Sequence, residues 1–583
     1  MCGIAGIVMR EDGLSERQLK RMQNLLLHRG PDGTGQIVKG NVGLAHTRLA
    51  IIDLDTGNQP IKNSTNDFLI ANAEVYNYLE IKEEIGNHKF TTKSDCESPL
   101  VLFQNHGASF VTELRGMYSI AILENNDAVH LYRDPFGIKP LYIMESKDGV
   151  AFSSEIRAVT ETGFIKPALN FDAVYQLLDY QFTCGKDTVI KGVQRVLPGE
   201  YIKVKNGEIK SERNINNFSS SGVVDVSEEE ALLKLDDVLM DSVEIHQRSD
   251  VPYGMFLSGG IDSSVILACM RELNDEPVCA FTVGFDVGKA TDERNHAKYL
   301  AEISGAEFFP IEFGEKDFWD LLPQVAACLD DPITDYATLP TFKLAQAANK
   351  SGLKVVLSGE GGDELFAGYG RYRKQLRPWW FGGEVSLRKG IFSGTNILNQ
   401  PTVPFKTIKN LDKKNLTKVQ TSQMTDIQDW LPNDLLVKLD RCLMAHGVEG
   451  RTPFLDNKVA EFAMQLPDKL KINRGLGKYI LRKWLKKKMP EAQPFSKKRG
   501  FTVPVGHWMS KKATLVGSLV SSQECIKEVA DSNEVVRLFS KLETSSSKKV
   551  SQMAWSLLFY SLWHLSHIQG KSLEGDIFEI LAD

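Results

Sequence analysis

Residues 251–273 read VPYGMFLSGGIDSSVILACMREL. A short apolar run meets the glycine pair Gly259–Gly260, and a second apolar stretch of helical length follows. A glycine turn between strand and helix lets the backbone approach a phosphate closely. The helix start then offers free N–H groups and the positive end of its dipole. No lysine follows the glycines, so this is not the GxxxxGK[ST] loop. Working outward, strand-like runs at Tyr253–Leu257, Val278–Val283 and Lys354–Leu357 are separated by helical periodicity that begins at Glu230. That alternation predicts βαβ units and a parallel sheet, an α/β domain over residues 231–583. After about residue 365 helices dominate, although residues 375–430 give no assignable element.

The first 205 residues have a different texture. Strand patterns at Gly3–Met9, Phe68–Asn72, Tyr118–Leu123 and Tyr201–Val204 are bounded by turn-formers, with helical patterns over Ser15–Leu27 and Ser98–His106. An antiparallel α+β domain is expected there. Residues 206–230 are polar and rich in Ser and Asn, and are expected to connect the two.

Length and composition agree with this division. A chain of 583 residues exceeds one core. Its net charge of −6 and spread-out lysines and arginines give no nucleic-acid footprint. The densest basic run, Lys483–Lys488 (KWLKKK), reads as a solvated helix face. Eight cysteines occur without CxxC pairs, so neither a disulfide framework nor a structural metal is indicated. No apolar run approaches a membrane span, the N-terminus lacks a signal-peptide pattern, and Cys2 excludes myristoylation. The expected address is a reducing cytoplasm.

Removal of Met1 would expose Cys2, followed by the small Gly3. A free α-amino group has a pKa near 7.7–8.0, so an N-terminal nucleophile can use its own amine as base. Position alone does not distinguish this from an ordinary buried cysteine. Six segments in order decide it: MCGIAGIV, His28–Gly33 (HRGPDG), His46–Asp53 (HTRLAIID), Asn72–Tyr78 (NAEVYNY), Ser94–Glu97 (SDCE) and Arg133–Leu141 (RDPFGIKPL). Together they resemble the class II glutamine amidotransferases, across essentially the first 200 residues.

The resemblance implies an N-terminal-nucleophile fold, with stacked antiparallel sheets between helices. It implies that Cys2 attacks glutamine and that Asn72 (side-chain amide) and Ala73 (backbone N–H) form the oxyanion hole. One such donor is worth about 3–4 kcal/mol where measured. Glutamine would be held along Arg48, Leu49, Ala50, Ile51 and Ile52. The Arg48 fork would take its α-carboxylate, and Glu74 and Asp95 its α-ammonium. The family usually reads NGE where this chain reads NAE. Alanine keeps the donor, and only a positive φ there would cost about 1–2 kcal/mol.

In the second domain, SGGIDSS resembles the pyrophosphate loop of enzymes that split ATP between the α- and β-phosphates. A second glycine cluster, Leu357–Tyr369 (LSGEGGDELFAGY), carries Glu360, Asp363 and Glu364. Three acids without a basic neighbour repel one another. This cluster matches the asparagine synthetase family, as do Gly447–Asp456 (GVEGRTPFLD), where Thr452 departs from the usual valine, and Gly477–Arg482 (GKYILR). Lys497–Val505 (KKRGFTVPV) resembles one bacterial branch.

The likeness implies an ATP site of Phe256, Leu257, Ser258, Gly259, Gly260, Asp262, Ser263, Ser264, Val283, Ser358 and Gly359. Asp262 and Asp363 would hold Mg²⁺, Glu360 would lie near the adenylate, and Lys478 would face the departing pyrophosphate. The expected activity is amidation of aspartate with glutamine as nitrogen donor and ATP as energy source. Ammonia would pass between the sites in a sealed passage. Homodimers are common among symmetric assemblies, so a homodimer here is a prior and not a reading of these residues. The same motifs also fit adenylation of another carboxylate, such as a uronic acid, peptide or β-amino acid. Of two further alternatives, an ammonia-only synthetase is opposed by intact Cys2, Arg48, Asn72, Glu74 and Asp95, with Ala73 its only support, and a nucleotide-binding protein without turnover by intact Cys2, Asp262, Asp363 and Lys478.

Overall fold

A computed structural model describes residues 2–11, 13–215, 222–287, 293–377, 380, 383, 389–401, 416–496 and 503–582. The N-terminal half holds strands β1 (Gly3–Met9), β2 (Gly33–Lys39), β3 (Val42–Arg48), β4 (Ile61–Lys62), β5 (Phe68–Val75) and β6 (Gly116–Leu123). These are followed by β7 (Val129–Arg133), β8 (Tyr142–Glu145), β9 (Gly149–Ser153), β10 (Gln194–Arg195), β11 (Glu200–Lys205) and β12 (Glu208–Asn214). They form two six-stranded sheets, ordered β10-β8-β9-β1-β3-β2 and β12-β11-β7-β6-β5-β4. The strand pairings within both sheets are antiparallel. Between the sheets, side chains such as Ile4, Leu44, Ile70, Leu131 and Phe152 make one buried cluster. The expected helices occur at Glu16–Leu25, capped by Ser15, and at Glu97–His106.

The segment 206–230 is not merely a connection. Residues 208–214 add β12 to the edge of the second sheet, and Ser227 caps a helix over Glu228–His246. The sequence EIKSERN hides this strand because an exposed edge needs no apolar alternation.

The C-terminal half is built on a parallel sheet ordered β15-β14-β13-β16-β17. Its strands are β13 (Tyr253–Phe256), β14 (Cys279–Phe285), β15 (Glu307–Phe313), β16 (Val355–Leu357) and β17 (Glu449–Arg451). β15 and β17 were not expected. β17 interrupts the helical C-terminal part and pairs with β16, Leu357 opposite Arg451. Beyond it, helices pack around the buried Lys548–His567 helix, with Trp555 and Trp563 inside. Among the described residues no helix is long and apolar enough to cross a membrane. The Lys483–Lys488 run lies on the helix Tyr479–Lys488 and pairs with acids: Lys483 with Glu228 at 3.0 Å, Lys488 with Asp236 and Glu272 at 3.0 and 2.9 Å. Most of the KKRGFTVPV motif, residues 497–502, lies outside the described residues, as does much of 375–430.

The two halves share a core. A single apolar cluster runs from Leu49, Ile51 and Ile52 through Leu178 to Leu257 and Leu357. Buried ion pairs cross the same boundary: Arg29–Asp440 at 2.8 Å, Arg195–Asp331 at 2.6 Å and Arg441–Glu155 at 3.2 Å. Removing one partner of such a pair strands a buried charge, so the ion pairs oppose separation of the halves.

Candidate active sites

Cys2 leads into β1 and is buried. Its backbone N–H donates to Asn72 Oδ1 at 3.1 Å, and its carbonyl accepts from Arg29 Nε at 3.2 Å. Burial pushes the Cys2 thiol up from its ordinary pKa, so an adjacent base is needed to generate the thiolate. Asn72 uses its oxygen on Cys2 and leaves Nδ2 buried without an acceptor. A buried, unpaired amide donor costs about 1–3 kcal/mol, which a ligand oxygen would recover.

The strand register explains a second free donor. Asn72 and Glu74 lie opposite Ser119 and Met117, and beyond them Tyr76 N–H bonds Arg115 O. The alternation of an antiparallel ladder therefore turns the N–H groups of residues 71, 73 and 75 away from β6. Ala71 N–H donates to Gln59 Oε1 at 2.6 Å and Val75 N–H to Asp95 Oδ2 at 2.8 Å. Ala73 N–H lies between them, with no acceptor among the described residues. Ala73 has negative φ in β5, so alanine in place of glycine brings no backbone strain.

The residues expected to grip glutamine surround this edge. Arg48 ends β3 and folds back onto the following loop. Its guanidinium donates to Asn58 Oδ1 at 3.0 Å, to Ile52 O at 3.3 Å and to Asp53 O. Leu49, Ile51 and Ile52 are buried there, and Ala50 N–H donates to Asp32 Oδ2 at 2.8 Å. Glu74 pairs with Arg451 at 3.0 Å, and Arg451 Nε also holds Glu449 at 2.6 Å. Burial pushes the Glu74 carboxyl well up despite Arg451, and burial also raises Asp95. Three carboxyls, Glu74, Asp95 and Glu449, thus act on one another beside Arg451.

The second centre sits at the C-terminal ends of β13 and β16, where open parallel sheets bind ligands. Gly259 takes φ 69°, and Gly260 caps the helix Ile261–Leu273. Ser258 Oγ and Ser263 Oγ are 3.0 Å apart, and Ser264 Oγ donates to Gly260 O at 2.7 Å. A cavity of about 360 Å³ opens here. Phe256, Leu257, Ser258, Asp262, Ser263, Val283, Ser358, Gly359, Glu360 and Asp363 all line it. Gly259, Gly260, Ser264 and Lys478 are not among its wall residues.

Lys478 lies beneath the two acids. Its ammonium contacts Asp363 Oδ1 at 2.6 Å and also Asp262. Burial alone would lower its pKa, but the two carboxylates outweigh burial and keep it protonated. The approach depends on missing side chains: a Cβ on Gly362 would lie 2.5 Å from Asp262 Oδ1, and one on Gly368 would lie 1.7 Å from Asp363 Oδ1. Because both carboxylates reach one ammonium, they also suit a hard divalent cation whose remaining ligands are phosphate oxygens. Among the described residues no group of three or more His, Cys, Asp or Glu is placed to hold a metal alone.

One wall residue, Lys438, carries no usable sequence signal, and the motif that holds Tyr369 and Glu364 assigns them no role. Lys438, from the helix Leu436–Met444, lies 3.6 Å from Glu360 and 3.3 Å from Asp335. Tyr369 Oη donates to Glu364 Oε1 at 2.7 Å. Burial and the neighbouring Asp363 push the Glu364 carboxyl up to about 8.

Comparison with known proteins places both halves. Residues 234–565 match the asparagine synthase family model, and residues 1–215 match the glutamine amidotransferase domain. The chain is 31% identical to the glutamine-hydrolyzing asparagine synthetase 1 of Bacillus subtilis, over 99% of this chain and 98% of that protein. It is 28% identical to asparagine synthetase B of Escherichia coli, over 90% and 86%. The amidase chry2 of Gibberella zeae is 26% identical, over 87% and 90%.

Proposed function

The chain belongs to the asparagine synthase family, and from that premise we propose that it makes asparagine from aspartate, ATP and glutamine. One observation carries the coupling of the two chemistries. The carbonyl of Arg451 accepts Ser358 N–H of the nucleotide cavity at 2.8 Å, while its guanidinium pairs with Glu74 of the glutamine edge at 3.0 Å. A single residue thus joins the walls of both sites.

In the glutaminase half, the Cys2 amine freed by loss of Met1 takes the thiol proton. The thiolate then attacks the glutamine amide carbon. Asn72 Nδ2 and Ala73 N–H receive the developing oxyanion, their lack of other acceptors leaving them ready for it. The Cys2 amine passes that proton to the leaving nitrogen, so that the C–N bond breaks, ammonia departs and a thioester remains, which water hydrolyses to glutamate. Glu74 and Asp95 hold the substrate ammonium, and Arg48 turns from its loop carbonyls to the α-carboxylate.

In the synthetase half, the substrate carboxylate attacks the α-phosphorus of ATP, and Lys478 faces the departing pyrophosphate. Mg²⁺, when bound at Asp262 and Asp363, neutralises triphosphate charge. Ser258 and Ser263 donate to phosphate oxygens, and Ser358 and Gly359 shape the nucleotide wall. Ammonia then attacks the acyl-adenylate and AMP leaves. The cavity presents Lys438 3.6 Å from the Glu360 carboxylate. That pairing of charges suits a zwitterionic amino acid such as aspartate.

Cys2→Ala tests the division of labour. Glutamine-driven asparagine formation should disappear while synthesis from ammonium salts stays at the wild-type rate. Loss of both in a folded protein would refute the reading.

A further inference from the structure

We propose that Asp250, from the synthetase half, is a positioning residue for the glutamine-binding loop, so that the glutaminase site is complete only with the synthetase half docked against it. The inference rests on the reading of Arg48 and Asp95 as glutamine contacts.

Asp250 is exposed in the turn between the helix Glu228–His246 and β13. It grips the loop after β3 at two points. Its Oδ2 accepts Asp53 N–H at 2.7 Å, and its own N–H donates to Ile51 O at 3.0 Å.

Asp53 is the hub of that loop. It holds φ 56°, a conformation that persists in a non-glycine residue where the surroundings over-determine it. Its carboxylate accepts Thr56 N–H at 2.9 Å and Lys93 N–H at 3.0 Å, and its carbonyl accepts the Arg48 guanidinium. Lys93 lies two residues before Asp95. One residue therefore fixes both the loop on which Arg48 rests before it turns to glutamine and the segment leading to Asp95, and Asp250 secures the N–H of that residue.

A cavity of about 500 Å³ opens beside this grip, and Asp250 is the one synthetase-half residue among its described wall residues, which include Ile52, Thr56, Lys82 and Lys93. The turn is itself anchored. Arg248 donates to Tyr76 O at 2.5 Å and pairs with Glu80 at 2.6 Å, while Arg451 donates to the carbonyls of His246 and Arg248 at 2.9 and 2.7 Å. Three residues later the chain enters β13, which runs into the nucleotide loop.

The test uses the full chain with Asp250→Ala and Asp250→Asn, comparing glutamine hydrolysis with ammonium-driven synthesis. Asp250→Ala should raise KM for glutamine about ten-fold or more, the scale of one hydrogen bond to a charged acceptor. Its kcat for hydrolysis should change less, and its ammonium-driven rate should match wild type. Asp250→Asn should restore KM, because its side-chain oxygen still accepts Asp53 N–H. An unchanged glutamine KM in Asp250→Ala, or ammonium-driven synthesis falling in step, overturns the proposal. A wild type that fails to hydrolyse glutamine removes the parent reading and this one together. An active wild type beside an Asp250→Ala variant with unchanged glutamine KM removes this one alone.

Discussion

The two sites are prepared in opposite ways. At the edge around Cys2 the proposed oxyanion donors are set by strand register: β5 turns Ala73 N–H outward, and Cys2 fixes the Asn72 amide through its oxygen. At the synthetase centre the arrangement is held by charge, with Lys478 drawn against Asp262 and Asp363 where glycines leave room. Backbone geometry tolerates side-chain change, which is why alanine stands at position 73 without strain. A charge-built site does not. Removing Lys478 leaves two carboxylates to repel each other, and removing either acid leaves the buried ammonium less compensated.

That contrast can be broken most forcefully at Lys478. Lys478→Met should cut pyrophosphate formation by about a thousand-fold or more with either nitrogen donor, on the scale of lost electrostatic transition-state stabilisation. Glutamine hydrolysis should continue. Loss of glutaminase activity as well would show that the two sites are not separately organised.

Next in size, Asn72→Ala should lower kcat for glutamine hydrolysis by about 10²–10³-fold, as expected for one oxyanion donor. Ammonium-driven synthesis should be spared. Steady-state kinetics with both donors reads the difference.

Ala73→Gly sharpens the comparison from the other side. Because Ala73 has negative φ, glycine should leave glutaminase kcat within about two-fold. It should also destabilise β5 by about 0.5–1 kcal/mol through backbone entropy, seen as a lower Tm. A large gain in kcat would mean that alanine does obstruct the donor.

A separate test concerns pH. Glu364 in the folded chain keeps its proton to about 8, whereas the unfolded carboxyl loses it near the ordinary value of about 4.3. Between those values the unfolded state binds fewer protons, so this group's contribution to stability falls as pH rises. Glu364→Gln should flatten that fall, measured by denaturant unfolding from pH 5 to 8. An unchanged slope would mean that Glu364 is ionised in the folded protein.

What the sequence revealed follows the same divide. Motifs whose parts are close along the chain were legible: SGGIDSS lies where β13 meets its helix, and Asn72, Ala73 and Glu74 lie on β5. Elements without apolar periodicity were not. β12 is polar, and β17 is only Glu-Gly-Arg, its two charged side chains buried against each other. Long-range partners leave no local mark either. Lys438 meets Glu360 across 77 intervening residues, and Arg451 meets Glu74 only because β17 docks against the glutaminase half. Arg48 was legible as a cation. Its engagement with the carbonyls of Ile52 and Asp53 was not, because that depends on how the loop is held.

The most direct measurement of the whole account is product stoichiometry for the unaltered protein, given glutamine, ATP, Mg²⁺ and aspartate. Pyrophosphate, AMP and asparagine should appear in equal amounts, accompanied by glutamate, and asparagine should be absent when ATP or aspartate is omitted. Glutamate and pyrophosphate accumulating without asparagine would contradict it.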